Sequence, residues 1–196
     1  MKDGFKRFVI VLLLLLLSTG SAYLVDKSID RADRNKYPLG DDAGVKSVIS
    51  NYSKQYDVPE YVIYTVMKMR SGCDRYYYSD GKIGFMALTV KECELVRAEA
   101  GMAPTDALLK DPAYNLHFGI HLLKKYYSSL GDWRSVYAAL ICGKENAAKW
   151  SGDTSLLDES GSLVRLPKGE ENASLFEEYL KTEKKYLELY DFENNT

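Results

Sequence analysis

A chain of 196 residues with 46% apolar composition can bury one good core, so a single globular domain is expected. A formal net charge of −2 lacks the basic footprint of a nucleic-acid-binding protein and excludes nucleic acid as the main partner. Three cysteines (Cys73, Cys93, Cys142) and two histidines (His117, His121) form no metal-ligand spacing, so neither metal nor cofactor is expected, and an odd cysteine count leaves at least one thiol unpaired within the chain.

The first seven residues carry Lys2, Lys6 and Arg7 ahead of an apolar run that begins at Phe8 and includes six leucines, Leu12 to Leu17. Counted to Val25 the run is 18 residues, against about 17–25 for a membrane-spanning helix. Basic residues before it and Asp26 after it orient the N-terminus inward and place the rest of the chain outside the cytoplasmic membrane. Gly20-Ser21-Ala22 offers the rival reading of a cleaved signal peptide; resumption of apolar character after it favours an anchor. Residues 26–44 are charged, contain Pro38 and Gly40, and read as a linker. A globular domain is expected over 45–190, with a tail at 191–196.

Val48, Ile49, Tyr52 and Tyr56 predict a first amphipathic helix. Pro59 suits the first turn of a second, whose Val62, Thr65, Val66 and Met69 share one face and whose end is marked by Gly72, a candidate left-handed cap. A tyrosine-rich turn and a hairpin-like segment punctuated by Gly81 and Gly84 follow. Thr89 with Glu92 predicts a capping box opening a helix over 90–100, which Gly101 to Pro104 break. Asp111-Pro112 opens another through Leu130, with Gly119 in its middle, where close helix packing is expected to offset about 1 kcal/mol of lost propensity. A helix over 136–150, a loop over 151–169 and a last helix over 173–190 complete the order. The 16 tyrosines against 6 phenylalanines suit half-wet surfaces, whether carbohydrate or protein contacts or the edges of a helical bundle.

The run Pro59…Arg70-Ser71-Gly72…Ser79…Gly81-Lys82-Ile83-Gly84-Phe85-Met86-Ala87…Thr89 resembles the core of the soluble lytic transglycosylase (SLT) family, of goose-type-lysozyme-like fold. That family reads E-S-G-F, then S-x-x-G-A-x-G-L-M-Q, then a helix. Ser71, Gly72, Ser79, Gly84 and Met86 agree. Asp111, Pro112, Asn115, Gly119 and Leu123 match its D-P-x-x-N-I-x-x-G-x-x-Y-L, and Ala139, Gly143 and Trp150 match A-A-Y-N-A-G-x-x-x-V-x-x-W. Leu166-Pro167 stands for its I-P, and Tyr179, Tyr186 and Tyr190 for its closing tyrosines. The opening phrases resemble short, membrane-anchored members of clostridial type. The resemblance spans residues 37–190 and implies an all-α, lysozyme-like fold behind an N-terminal membrane helix.

It also implies a chemistry, and the residues depart from it. Family enzymes use one glutamate to protonate the glycosidic oxygen and then to deprotonate the muramic acid 6-hydroxyl, leaving a 1,6-anhydro end. The residue at that position is Arg70, and a guanidinium stays protonated and has no acceptor. Such acid–base assistance contributes roughly 10²–10⁴-fold. The family glutamine is Ala87, its Tyr-Asn pair is Leu140-Ile141, and the aromatic after E-S-G is Cys73. Asp74, Asp80, Glu92 and Glu145 are the nearby acids in sequence, each expected to be solvated. Arg70 suits bidentate recognition of a carboxylate on a peptide stem or partner, or a structural ion pair with a neighbouring acid.

Together these features predict a cell-wall-associated SLT-domain protein that has lost catalysis and binds peptidoglycan glycan strands or regulates a cell-wall partner. Carried over from the family, the substrate-facing positions are Ser71, Ile83, Gly84, Phe85, Met86, Ala87, Leu140, Ile141 and Trp150, although a lone tryptophan at a helix end is more often core. An active transglycosylase with a relocated acid and a protein-interaction module are the alternatives.

Overall fold

The computed structural model describes residues 31–39 and 43–190. The expected membrane segment, 1–25, lies outside the described residues; among those described, no helix is long and apolar enough to cross a membrane. The chain divides into two compact units, Met1–Pro38 and Leu39–Thr196. In the first, residues 31–36 are helical, within the stretch expected to be a linker.

The second unit is built from helices around one short hairpin. Helix α1 (Ala43–Tyr56) turns at Asp57 into α2 (Glu60–Ser71), which begins after Pro59 as expected. Gly72 closes α2 at φ 69°, and its N–H reaches the Lys68 carbonyl. Strands β1 (Tyr78–Ser79) and β2 (Lys82–Ile83) pair antiparallel, with Tyr78 opposite Ile83. Thr89 then opens α3 (Val90–Glu94) through the anticipated capping box, in which Thr89 and Glu92 satisfy each other's backbone N–H groups.

The single helix expected over 90–100 is two. Val96 leaves helical geometry at ψ 15°, and α4 (Arg97–Ala100) follows. A one-turn α5 (Asp106–Leu109) leads to α6 (Pro112–Leu130), where Asp111 accepts from the N–H groups of Ala113 and Tyr114 and Pro112 occupies the first turn. The helix expected over 136–150 also divides: Gly143, at φ 87° and ψ 153°, ends α7 (Trp133–Cys142) and precedes α8 (Lys144–Ser151). Only glycine adopts that backbone conformation readily, so the break is encoded in one residue. The segment expected as loop contains a 3₁₀ turn (Thr154–Leu156) and a bridge between Leu157 and Leu163. Helix α9 (Ala173–Leu189) ends the fold.

Helix α6 is the hub, packing against α1, α7, α8 and the short helices, while α9 covers α2 and α7. Leu116, Phe118, Ile120, Leu122 and Leu123 of α6 lie in the core, as do Ile49, Val62, Ile63, Met67, Val136 and Phe176, each at 1% exposure or less. Burying side chains of this kind contributes about 1.5–3 kcal/mol apiece. Gly119 does allow a close approach, but to a loop instead of a helix. A Cβ there would stand 2.6 Å from Met86 Cγ. Arg134 ties α7 to α9 through Glu183 (3.1 Å) and to the following loop through Asp158 (3.2 Å). Between α1 and α6, the rings of Tyr52, Tyr56, His117 and His121 form one cluster, with Tyr56 and His121 4.3 Å apart.

Candidate functional site

The end of α2 carries Arg70 and Ser71 toward the 83–88 segment, which the hairpin delivers. That segment is tightly folded: Ile83 and Leu88 exchange backbone hydrogen bonds (2.9 and 3.0 Å), and the Ala87 N–H donates to the Gly84 carbonyl (2.8 Å). Gly84 sits at φ 71°, where a Cβ would collide with the Asn115 amide at 2.6 Å. Ala87 adopts φ 41°, left-handed geometry that costs a non-glycine residue about 1–2 kcal/mol.

Three side chains hold this strained loop. Asn115, fully buried on α6, accepts from the Met86 N–H (2.8 Å) and donates to the Ile83 (2.7 Å) and Leu109 (3.0 Å) carbonyls. The Ser71 hydroxyl lies 2.6 Å from the Phe85 carbonyl and 3.0 Å from that of Met67, one proton serving two acceptors. Arg70 Nη2 donates to the Ala87 carbonyl (2.9 Å) and to Glu92 Oε1 (2.7 Å). The Arg70–Glu92 pair joins α2 to α3, with the Arg70 side chain 10% exposed and that of Glu92 27%.

Glu92 therefore departs from expectation. It is half-buried and paired, where a solvated acid was expected. Its other oxygen accepts from the Thr89 N–H (2.8 Å) and hydroxyl (2.9 Å). Partial burial on its own would raise the carboxyl pKa, but the Arg70 charge and hydrogen bond and the Thr89 hydrogen bonds outweigh it and hold the pKa below the ordinary 4.5. Glu92 is thus an ionised, acceptor-only group at neutral pH, unable to donate a proton to a leaving group. Of the two readings open for Arg70, the internal ion pair is the one present.

The remaining candidates are mostly inside. Ile83, Phe85, Met86 and Ala87 are buried, as is Gly84, and Trp150 is 6% exposed in α8, occupying the core position that was its alternative. Leu140 and Ile141, at the end of α7, keep partial exposure. The structure brings Arg70, Ser71, Phe85 and Ala87 together through hydrogen bonds. Two tyrosines that the sequence did not mark as site residues feel the charges of the ion pair. Burial pushes Tyr179 up to about 12, with the Arg70 charge opposing and that of Glu92 adding, and burial followed by the Glu92 charge raises Tyr126. Tyr179 carried a signal, being one of the closing tyrosines. Glu92 carried one too, because a capping-box glutamate turns back toward its own N-cap and away from solvent.

Cys73, directly after the glycine cap, adopts φ 66° and lies 3.8 Å from the Tyr186 hydroxyl; burial raises its thiol pKa. All three cysteines are free thiols. An open groove of about 690 Å³ runs along α3 and α4, lined by Glu94, Leu95, Arg97, Glu99, Met102 and Lys125, and contains none of the candidate residues.

Two comparisons with known proteins place the chain. Among solved structures it is similar to an inactive mutant of the lytic transglycosylase Slt from Pseudomonas aeruginosa, at a TM-score of 0.55 and 16% identity. The alignment covers 80% of this chain and 24% of that one, so the chain spans about a quarter of its length. At that identity the likeness carries the fold: a lysozyme-like helical domain. No curated protein matches the chain. The family profile described as the transglycosylase SLT domain matches residues 47–160, more than half of the chain and every element from α1 through the 3₁₀ turn. The chain belongs to the transglycosylase SLT domain family.

Proposed function

We propose that this protein is a membrane-tethered, extracytoplasmic SLT-domain protein that no longer cleaves glycan and instead binds peptidoglycan strands or regulates a cell-wall partner. One observation supports it above the others. At the position where the family resemblance sets a glutamate acid stands Arg70, neutralised by Glu92 at 2.7 Å and hydrogen-bonded to the backbone of the loop beside it. A glycosidase acid must be protonated when the leaving oxygen departs. Arg70 has no acceptor to serve as the base, and Glu92, the nearest carboxylate, is held ionised. The pair acts as a strut between α2 and α3, beside the 83–88 loop.

Of the nearby acids, Glu92 could serve as the relocated acid only by shedding Arg70, and with it the interactions that lower its pKa. The test is muropeptide release from purified peptidoglycan by the full chain, beside an Arg70→Glu/Glu92→Gln variant that restores an acid without placing two carboxylates together. Anhydro-muropeptides from the unmodified protein would refute the non-catalytic reading. Products from the double variant alone would agree with an intact groove lacking its acid. Silence from both shifts weight to a protein-interaction role.

A further inference from the structure

Two large aromatic side chains stand in water beside the site. Tyr76 is 80% exposed and Tyr78 is 68% exposed, the two highest values among the large hydrophobic residues of the described part. Neither lies on a loose loop. The Tyr76 N–H donates to Asp74 Oδ1 (2.8 Å), the Tyr77 N–H to the Asp74 carbonyl (3.3 Å), and the Tyr77 carbonyl accepts from the Gly84 N–H (2.9 Å). Tyr78 is cross-strand from Ile83, the first residue of the tightly held 83–88 segment. Exposure alternates from Tyr76 to Asp80, with Tyr77 turned inward between its neighbours. The Asp74–Tyr77 turn delivers Tyr78 into β1, so the two exposed tyrosines stand on either side of the less exposed Tyr77. The Arg75 guanidinium lies 5.4 Å from the Tyr76 ring centre and steadies that ring.

We propose that Tyr76 and Tyr78 form an aromatic platform that stacks on successive sugar rings of an uncharged polysaccharide strand, an inference that rests on the glycan-binding reading above. Each tyrosine loses only two side-chain torsions on binding, and its ring offers an apolar face with a polar tip, which suits a pyranose carrying C–H groups on its faces and hydroxyls on its rim. The charges beside the platform cancel: Asp74 and Asp80 against Arg75 and Lys82. A polyanion would call for net positive charge here. An uncharged backbone calls for none.

The experiment is co-sedimentation of the full 196-residue chain, in detergent, with insoluble peptidoglycan stripped of protein and of anionic wall polymers, with neutral chitin oligosaccharides as competitor. The unmodified chain should pellet and be displaced by the oligosaccharide. The Tyr76→Ala/Tyr78→Ala variant should bind about tenfold or more weakly, the loss of two stacked rings, whereas Tyr76→Phe/Tyr78→Phe should stay within about threefold. Both positions are exposed, so the melting temperature should not move and misfolding is checked directly. Equal pelleting of the alanine variant and the unmodified chain would overturn the platform while leaving glycan binding in place. A phenylalanine variant as weak as the alanine one would replace stacking with hydroxyl hydrogen bonding, and also overturn it. An unmodified chain that pellets with crude walls but not with stripped peptidoglycan would overturn the glycan reading itself and place the ligand among the wall proteins or anionic polymers removed.

Discussion

Replacing Arg70 with glutamate is the most informative single perturbation of the site. The change removes a charge-assisted hydrogen bond of 2.7 Å to Glu92 and one of 2.9 Å to the Ala87 carbonyl, and sets two carboxylates side by side. Loss of a hydrogen bond to a charged group costs about 1.5–3 kcal/mol. Two like charges 4 Å apart at an effective dielectric of 20 repel by about 4 kcal/mol, but a Glu92 side chain 27% exposed and uptake of a proton by one carboxyl relieve much of that. The expected net destabilisation at pH 7 is about 3–4 kcal/mol, or about 10 °C in melting temperature for a chain of this size. The assay is urea unfolding of the full chain between pH 4 and 8.

The pH dependence should reverse sign. In the unmodified protein Glu92 has a lowered pKa, so its contribution is present above the ordinary carboxyl value of 4.5 and is lost as pH falls below it. In Arg70→Glu the carboxyl pair has a raised pKa, so the folded state takes up protons and stability rises as pH falls from 7 toward 5. Adding Glu92→Gln, which keeps the capping box, should recover about half of the loss. A cost under about 1 kcal/mol, or a single variant with the same pH slope as the unmodified chain, would refute the strut.

Three further outcomes follow from neighbouring contacts. Asn115→Ala leaves the Met86 N–H and the Ile83 and Leu109 carbonyls without their buried partner, and should cost about 3–5 kcal/mol in urea unfolding. Gly119→Ala gains about 1 kcal/mol of helix propensity yet drives a Cβ to 2.6 Å from Met86 Cγ; calorimetry should find net destabilisation that shrinks in a Met86→Ala background, where only the contact with the residue-86 Cβ at 3.0 Å persists. His121 has its pKa lowered below 6.5, by burial first and by His117 second, with Glu99 opposing. The stability it contributes is present above pH 6.5 and lost as pH falls below that value, so the urea midpoint should drop from pH 7.5 to 5.5 in the unmodified protein and much less in His121→Phe.

Most elements were legible because their signals are local. Thr89 and Glu92 lie three apart, and Asp111 precedes Pro112, so those helix starts are written in adjacent residues. Gly72 closes α2 for the same reason. The breaks at Val96 and Gly143 were missed because apolar periodicity runs on through them. Val96 is an ordinary helix residue, and Gly143 was absorbed into a family phrase. Among the site residues, sequence put Arg70, Ser71 and Ala87 in one motif. It set Glu92 among solvated acids, because distance along the chain does not say which way a carboxylate turns.

By itself the sequence determined the helix starts at Thr89 and Asp111, the Gly72 cap, the hairpin and the replacement of an expected acid by Arg70, since each depends on residue identity within a few positions. Tertiary structure alone decided what Arg70 does. Its partner lies 22 residues away on another helix, its second acceptor is a carbonyl turned by left-handed backbone at Ala87, and both meet it only once Asn115 has anchored the intervening loop to α6. The burial of Trp150 and the exposure of Tyr76 and Tyr78 were decided in the same way. All four are aromatic or amphipathic side chains that fit a core, a cleft or a surface equally well, and only the packing of distant helices selects among these.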